Sequence, residues 1–343
     1  MLAREMLQGA VEAGILTSEQ ADGLSAYLAE RETLRDPEKV RFTHGFHDIF
    51  IGIGIVILLV GIGLSNNIAA APFAAITIWI LAEWLSRLRR AAFPSLILTL
   101  AFPLFAGLTL ALAIGGLPIN VTAVMLFSNA QAAVLFGVAA LTGALAFYWR
   151  FNTPISLALI AGSAIVLVIA LLELASPGIT ARWLAAETLV AGLGCFLLAM
   201  RYDSRDTSRR TINTDKAFWL HLMAAPLVIH SSVSYLQNAG SGSLSAAVLI
   251  AFVLVMGLVA LVVDRRALLV SGLAYLGVAV VRLMMSASMD ANLAIPAALV
   301  AVGLFVLLVG SAWASLRRTI LAPFAGTPLL RFVPSPTRNI VHD

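Results

Sequence analysis

Ten apolar runs divide the chain from Ile49 onward, at 49–65, 70–86, 95–116, 129–149, 154–175, 184–200, 217–235, 244–263, 267–287 and 293–314. Most reach the roughly 17 to 25 residues that carry a helix across a bilayer, and flanking residues complete the shortest. The pattern predicts an all-α fold, a polytopic transmembrane helix bundle of about ten spans filling 44–318. Ahead of it, residues 1–43 predict a helical hairpin: one helix over Met1 to Val11, a turn at Ala13-Gly14, then a helix opened by a Thr17-x-x-Gln20 capping box. Ala21, Leu24, Leu28 and Leu34 recur there at near-helical spacing, and Pro37 stops the run. Behind it, 319–343 alternates apolar patches with prolines, as expected of a tail lying along a membrane face. The longest polar run between apolar segments is Arg201 to Lys216.

Composition agrees with the pattern. Of 343 residues 60% are hydrophobic and 12% charged, with mean hydropathy +0.96, whereas a soluble domain carries roughly 25% charged residues. The lipid bilayer is the expected partner. A net charge of +4 suggests nucleic acid, but the basic residues cluster at the ends of apolar runs, which is an orientation signal and not a phosphate-binding stripe. With an even number of spans both termini share a side. If that side is the cytoplasm, 20 of the 22 Lys and Arg residues fall there, leaving Arg182 in an outer loop and Arg282 inside a span. One misplaced span would invert every later loop, so the bias supports both the count and an N-in/C-in topology in a bacterial inner membrane. The first apolar run starts only at Ile49, so a cleaved signal peptide is not expected. Cys195 is the one cysteine, which excludes an intramolecular disulfide.

Basic turns followed by a new span recur at Arg89, Trp149 and Asp264, stepping by about 60 residues if the long polar run counts as one. A tandem array of helical hairpins would give this period, and so would ordinary topology with similar span lengths. In the first run Gly54 and Gly61 fall on one face and predict a close helix contact.

An ionisable group at the bilayer centre costs about 2.5 to 3.5 kcal/mol on insertion scales, so the few within or beside the spans are the candidates for chemistry. Glu83 precedes Arg87 by one helical turn and reads as an i, i+4 ion pair at a span end. Asp264 with Arg265 and Arg266 reads as a helix-end cluster. Towards the opposite side, Glu173, Glu187, His230, Arg282 and Asp290 form a candidate polar or ligand cluster if the bundle brings them together, and a buried structural ion pair is the plainer alternative. His221 and His230 are nine residues apart on one helix, so they face opposite ways and lie about 13 Å apart along its axis. Pro226 between them predicts a kink. His44, His47 and Asp48 stand at the threshold of the first span, too few to make a metal site. Asn120-Val-Thr formally fits a glycosylation acceptor. Phosphate-loop, zinc-protease, nucleophile-elbow and dinucleotide motifs are absent from the sequence, so no catalytic residue, metal or cofactor is expected.

The stretch Gly14-Ile-Leu-Thr-Ser-Glu-Gln-Ala21, leading through a short helical region into a glycine-rich first span, resembles the start of the bacterial membrane proteins grouped as DUF2157. LAEWLSRLRRAAFPS at 81–95, the RYD of 201–203 followed by FWLHLMAAPLVIH at 218–230, and DRRALLVSGLAYLG at 264–277 are similar to proteobacterial proteins of the same kind. The resemblance implies a multi-span inner-membrane protein with a cytoplasmic N-terminal region, and brings no catalytic residue with it. Two functional expectations follow. One is a non-enzymatic scaffold, sensor or assembly protein meeting a protein partner through 1–43 or the 201–216 loop. The other is a transporter or permease for an ion or small solute, using the Arg282 cluster.

Overall fold

The computed structural model of the chain describes residues 7, 9–11, 13–25, 37–65, 67, 69–115, 123–207, 211–239, 243–324, 327 and 333. All regular structure among them is helical. In the N-terminal segment the capping box forms in both directions: the Thr17 N–H donates to Gln20 Oε1 at 3.0 Å and the Gln20 N–H to Thr17 Oγ1 at 3.3 Å. A helix follows over 18–25, and Gly14 at φ +69° makes the turn before it, a conformation that glycine adopts at no steric cost. Residues 1–6, 8, 12 and 26–36 of the expected hairpin lie outside the described residues, as do Asn120 and most of the tail.

The bundle begins with α1 (Pro37–Gly63). Pro37 is the first described residue of that helix, and the first span is the second half of its 27 residues; the residues before Pro37, and with them the expected stop, lie outside the described residues. The α2 helix (Ala70–Ala82) continues as a π-helical turn, Glu83–Leu88. Then come α3 (Ala92–Ile114), the short α4 (Ala123–Ser128), α5 (Ala130–Phe151), α6 (Ser156–Ala175), α7 (Ile179–Arg205) and α8 (Ile212–Ala239). The bundle closes with α9 (Ser243–Val263), α10 (Ala267–Ser286), α11 (Ala291–Ser311) and α12 (Trp313–Leu321). Among the described residues nine helical segments are long and apolar enough to cross a bilayer, and His47–Gly63 in α1 is a shorter apolar tenth.

The outward faces explain why this composition folds as it does. Only 11% of the apolar stretch of α6, and of α11, is buried. Leu197, Leu299 and Leu307 are each more than two thirds exposed. In water such a surface would collapse or aggregate; in hydrocarbon it is the solvated one, and the helical backbone leaves few polar groups unpaired. Inside, association depends on close packing. One apolar cluster joins α1, α2, α3 and α5 around Ile78, Leu98 and Phe147. Another joins α8, α9 and α10 around Ile229, Val253 and Leu276. Glycines set the closest approaches: a Cβ added at Gly137 of α5 would lie 2.9 Å from the Leu167 Cα of α6, and one at Gly192 of α7 would lie 3.0 Å from the Val228 backbone nitrogen of α8. The Gly54 and Gly61 face is not such a contact, since nothing lies within 4 Å of either added Cβ; Gly52, against Phe93 and Ile97 of α3, is.

The turns after α2, α5, α7 and α9 gather at one end of the bundle. Arg150 at the end of α5 reaches Glu83 at the end of α2 (2.8 Å), and Lys216 at the start of α8 donates to the Tyr148 hydroxyl of α5 (2.8 Å). Arg265, after α9, meets Asp203 near the end of α7, and the Trp313 indole of α12 donates to Asp264 (2.8 Å).

Candidate functional site

The polar run Arg201 to Lys216 is largely helix and folded turn. The α7 helix extends to Arg205 and α8 starts at Ile212, so three residues past the apolar run Asp203 is still on a helix. It continues a buried stripe of Gly192, Cys195 and Ala199, spaced three to four residues apart and turned towards the bundle. Asp206 then ends α7. Its Oδ2 accepts from the Thr211 N–H (2.8 Å), the Thr211 hydroxyl (2.7 Å) and the Thr214 hydroxyl (2.8 Å), which fixes the entry into α8.

Two and a half turns into α8, His221 is completely buried, and its Nε2 lies 2.8 Å from Asp203 Oδ2. The Phe196 ring of α7 stands edge-on to the imidazole at 5.3 Å. The third member comes from the far side of the turn between α9 and α10. Asp264 adopts the left-handed conformation at φ +59°, and the Arg265 N–H closes back onto the Ala260 carbonyl (2.9 Å), the geometry of a Schellman helix end. That turn aims Arg265 inward, where its guanidinium grips both Asp203 oxygens and donates to the Thr214 carbonyl (3.2 Å). Asp203 is 2% exposed and Arg265 6%. A carboxylate held by a guanidinium fork and an imidazole is a strong, directional tie between α7, α8 and the α9–α10 turn. None of the three side chains lines either of the two cavities described below.

Beside it Asp264 takes the Trp313 indole, with the Arg317 Nε at 3.9 Å. Arg317 also donates to the Leu261 carbonyl at 3.2 Å, seating α12 against the end of α9. Burial lowers the Arg317 guanidinium from its usual value, and Asp264 offsets part of that.

Of the five side chains of the expected polar cluster, Glu173 and Glu187 lie near enough for their charges to interact, and each of the five has its own surroundings. Glu173 closes the turn between α6 and α7, accepting from the Gly178 N–H (2.7 Å) and the Thr180 N–H (2.9 Å). His230 is exposed, with its Nδ1 on the Tyr275 hydroxyl. Asp290 receives the Asn292 amide, at 3.3 Å. Arg282 is exposed and takes no acidic partner among the described residues. Glu187 differs from the rest: both carboxylate oxygens are buried, and neither has a hydrogen-bond partner among the described residues. Of the secondary candidates, Glu83 pairs with Arg87 at 3.3 Å as the spacing predicts, and also with Arg150, which spacing alone could not reveal. His221 and His230 do face apart, one buried and one exposed. His47 is exposed, while the His44 side chain lies outside the described residues.

Two cavities adjoin α6 and α7. One, of about 480 Å³, is lined by Glu173, Thr180 and Ser128 among apolar residues. The other, about 520 Å³, has Glu187 as its one polar side chain among nine lining residues. Both touch Ile169. No three His, Cys, Asp or Glu side chains among the described residues come together as a metal site.

No protein-family model matches the chain, and neither does any curated protein or solved structure.

Proposed function

We propose that this chain is a bacterial inner-membrane protein of the DUF2157 kind, with both termini and the basic end of the bundle in the cytoplasm, acting as a non-enzymatic scaffold or sensor that assembles with a protein partner. The observation that carries the reading is the fate of the charged groups. Asp203 is paired with Arg265 and hydrogen-bonded to His221, Glu83 is paired with Arg150 and Arg87, and Glu173 accepts from backbone N–H groups. These side chains are spent on holding helices together. The N-terminal segment supports the reading with surface for a partner, since Ile15 is 75% and Leu24 41% exposed beside an ordered capping box.

The test is cross-linking in native membranes, comparing the full chain with one lacking residues 1–43. A higher-mass adduct present with the full chain and lost on truncation is expected. Identical adducts from both chains would remove the N-terminal segment as the docking element.

A second reading, a permease for an ion or small solute, draws on Glu187, the one intramembrane carboxylate not answered by a described group. Its test is flux in proteoliposomes, with Glu187→Gln expected to abolish whatever the parent chain carries.

A further inference from the structure

Glu187 stands about 12 Å along α7 from Ile179, at the 1.5 Å rise of a helix. The α7 helix is 27 residues long, about 40 Å, and so overhangs a hydrocarbon layer of about 30 Å by a few ångströms at each end. Glu187 therefore lies below the depth of lipid headgroups. Its position is costly for a carboxylate, and protein groups normally answer such a charge. Among the described residues none donates a hydrogen bond to it, and the charge that acts on it is a second carboxylate, Glu173, not a cation. Ile165, Val168, Leu172 and Val190 form the walls of the groove, and the adjacent Thr188 hydroxyl is taken by the Ser231 hydroxyl at 2.7 Å and by its own helix carbonyls.

We propose that this groove between α6 and α7 is a binding site for an amphiphilic organic cation, a quaternary ammonium or phosphonium with apolar substituents, held by Glu187. The chemistry is complementary on both counts. A single negative charge in an apolar wall meets a single positive charge that needs no hydrogen-bond acceptor. A volume of about 520 Å³ lies in the range of small-molecule sites, which are mostly apolar with a few placed polar groups. An acyl chain would fill the same space but leave the carboxylate unanswered. A strongly hydrated cation such as sodium would find one carboxylate and no further oxygen ligand. The site is separate from residues 1–43, so it stands or falls independently of the assembly reading.

The experiment is equilibrium dialysis of tetraphenylphosphonium against the full chain in nanodiscs of phosphatidylglycerol, which has no amine headgroup, with empty nanodiscs as background. Saturable binding above background is expected. Glu187→Gln should weaken it at least tenfold, and so should Val168→Trp, which keeps the charge but fills the groove from an exposed position. Asp290→Asn, remote from the groove, should leave it within twofold. The neutral triphenylphosphine oxide should not compete. Binding no greater than in empty discs, undiminished binding by folded Glu187→Gln, or equal competition by the neutral compound would each overturn the proposal. Loss of binding when phosphatidylethanolamine replaces phosphatidylglycerol would assign the groove to a lipid ammonium and overturn it too. If Glu187→Gln does not fold, Val168→Trp decides, with helicity and thermal midpoint measured alongside.

Discussion

Asp203 is the residue on which most of the buried polar bonding converges, and its removal is the most informative single change. Asp203→Ala leaves Arg265 and His221 facing each other with no anion between them, in a pocket that water does not reach. Breaking a buried pair by deleting one partner costs about 3 to 5 kcal/mol, far more than an exposed pair, where the median is about 0 to 1. Arg265→Met alone strands the carboxylate and should cost a similar amount. The double variant Asp203→Leu with Arg265→Met should recover most of the loss, because replacing both charges with apolar groups is often neutral. Unfolding in mixed micelles, followed by circular dichroism, measures all three; strict additivity of the two single losses in the double variant would show the side chains do not interact. By contrast Arg87→Ala, on an exposed guanidinium of the Glu83 pair, should change stability by less than about 1 kcal/mol. Part of this was legible in the sequence. The phase of Gly192, Cys195, Ala199 and Asp203 along one helix face says that Asp203 points inward, and Ala217, His221 and Ala224 say the same of His221. Arg265 was not legible: its direction depends on the left-handed turn at Asp264, and its partner lies 62 residues away.

At the scale of elements, helices in hydrocarbon lack the hydrophobic drive to associate, so small residues decide how near two backbones come. Gly192 is the sharpest case. A Cβ there would lie 2.9 Å from both Leu227 Cβ and Val228 Cγ2, and 3.0 Å from the Val228 nitrogen, so α7 and α8 would have to part. Gly192→Leu should destabilise by about 1 to 3 kcal/mol or more, the usual cost of overpacking. It should also loosen the Asp203–His221 contact, which depends on the same pair of helices. Gly54→Ala, with open space around it, should be neutral or stabilise by up to about 1 kcal/mol, since alanine is the better helix former. Thermal midpoints of the two variants side by side check the contrast. Glycine spacing in the sequence indicates a close contact somewhere in the first span, yet the face at Gly52 depends on where Phe93 and Ile97 of α3 fall, and no local pattern contains that. The π-helical turn Glu83–Leu88 has the same character. It presents Glu83 to Arg150, from a helix 67 residues further on.

For the whole molecule, hydropathy is the most legible property, because each span must satisfy its own backbone and expose its own apolar face. A helix lies over every one of the ten apolar runs, and the helices outlast the runs mainly where polar residues continue the turn, as at the ends of α7 and α8. The proposed sidedness rests on two observations. Basic residues crowd the turns after α2, α5, α7 and α9, and side-chain contacts tie those turns to one another at one end. On the reading proposed above, in which cytoplasmic loops carry the Lys and Arg excess, that end faces inward. The α10 helix then spans about 30 Å from Ala267 to Ser286, putting the exposed Arg266 and Asn292 on opposite sides. With the buried Cys195 replaced by alanine, Asn292→Cys in intact spheroplasts should react with a membrane-impermeant maleimide, while Arg266→Cys should react only after lysis. The opposite order would invert the bundle and move the basic end outside. Equal labelling of both before lysis would mean that α10 does not cross, and the ten-span count would fail with it.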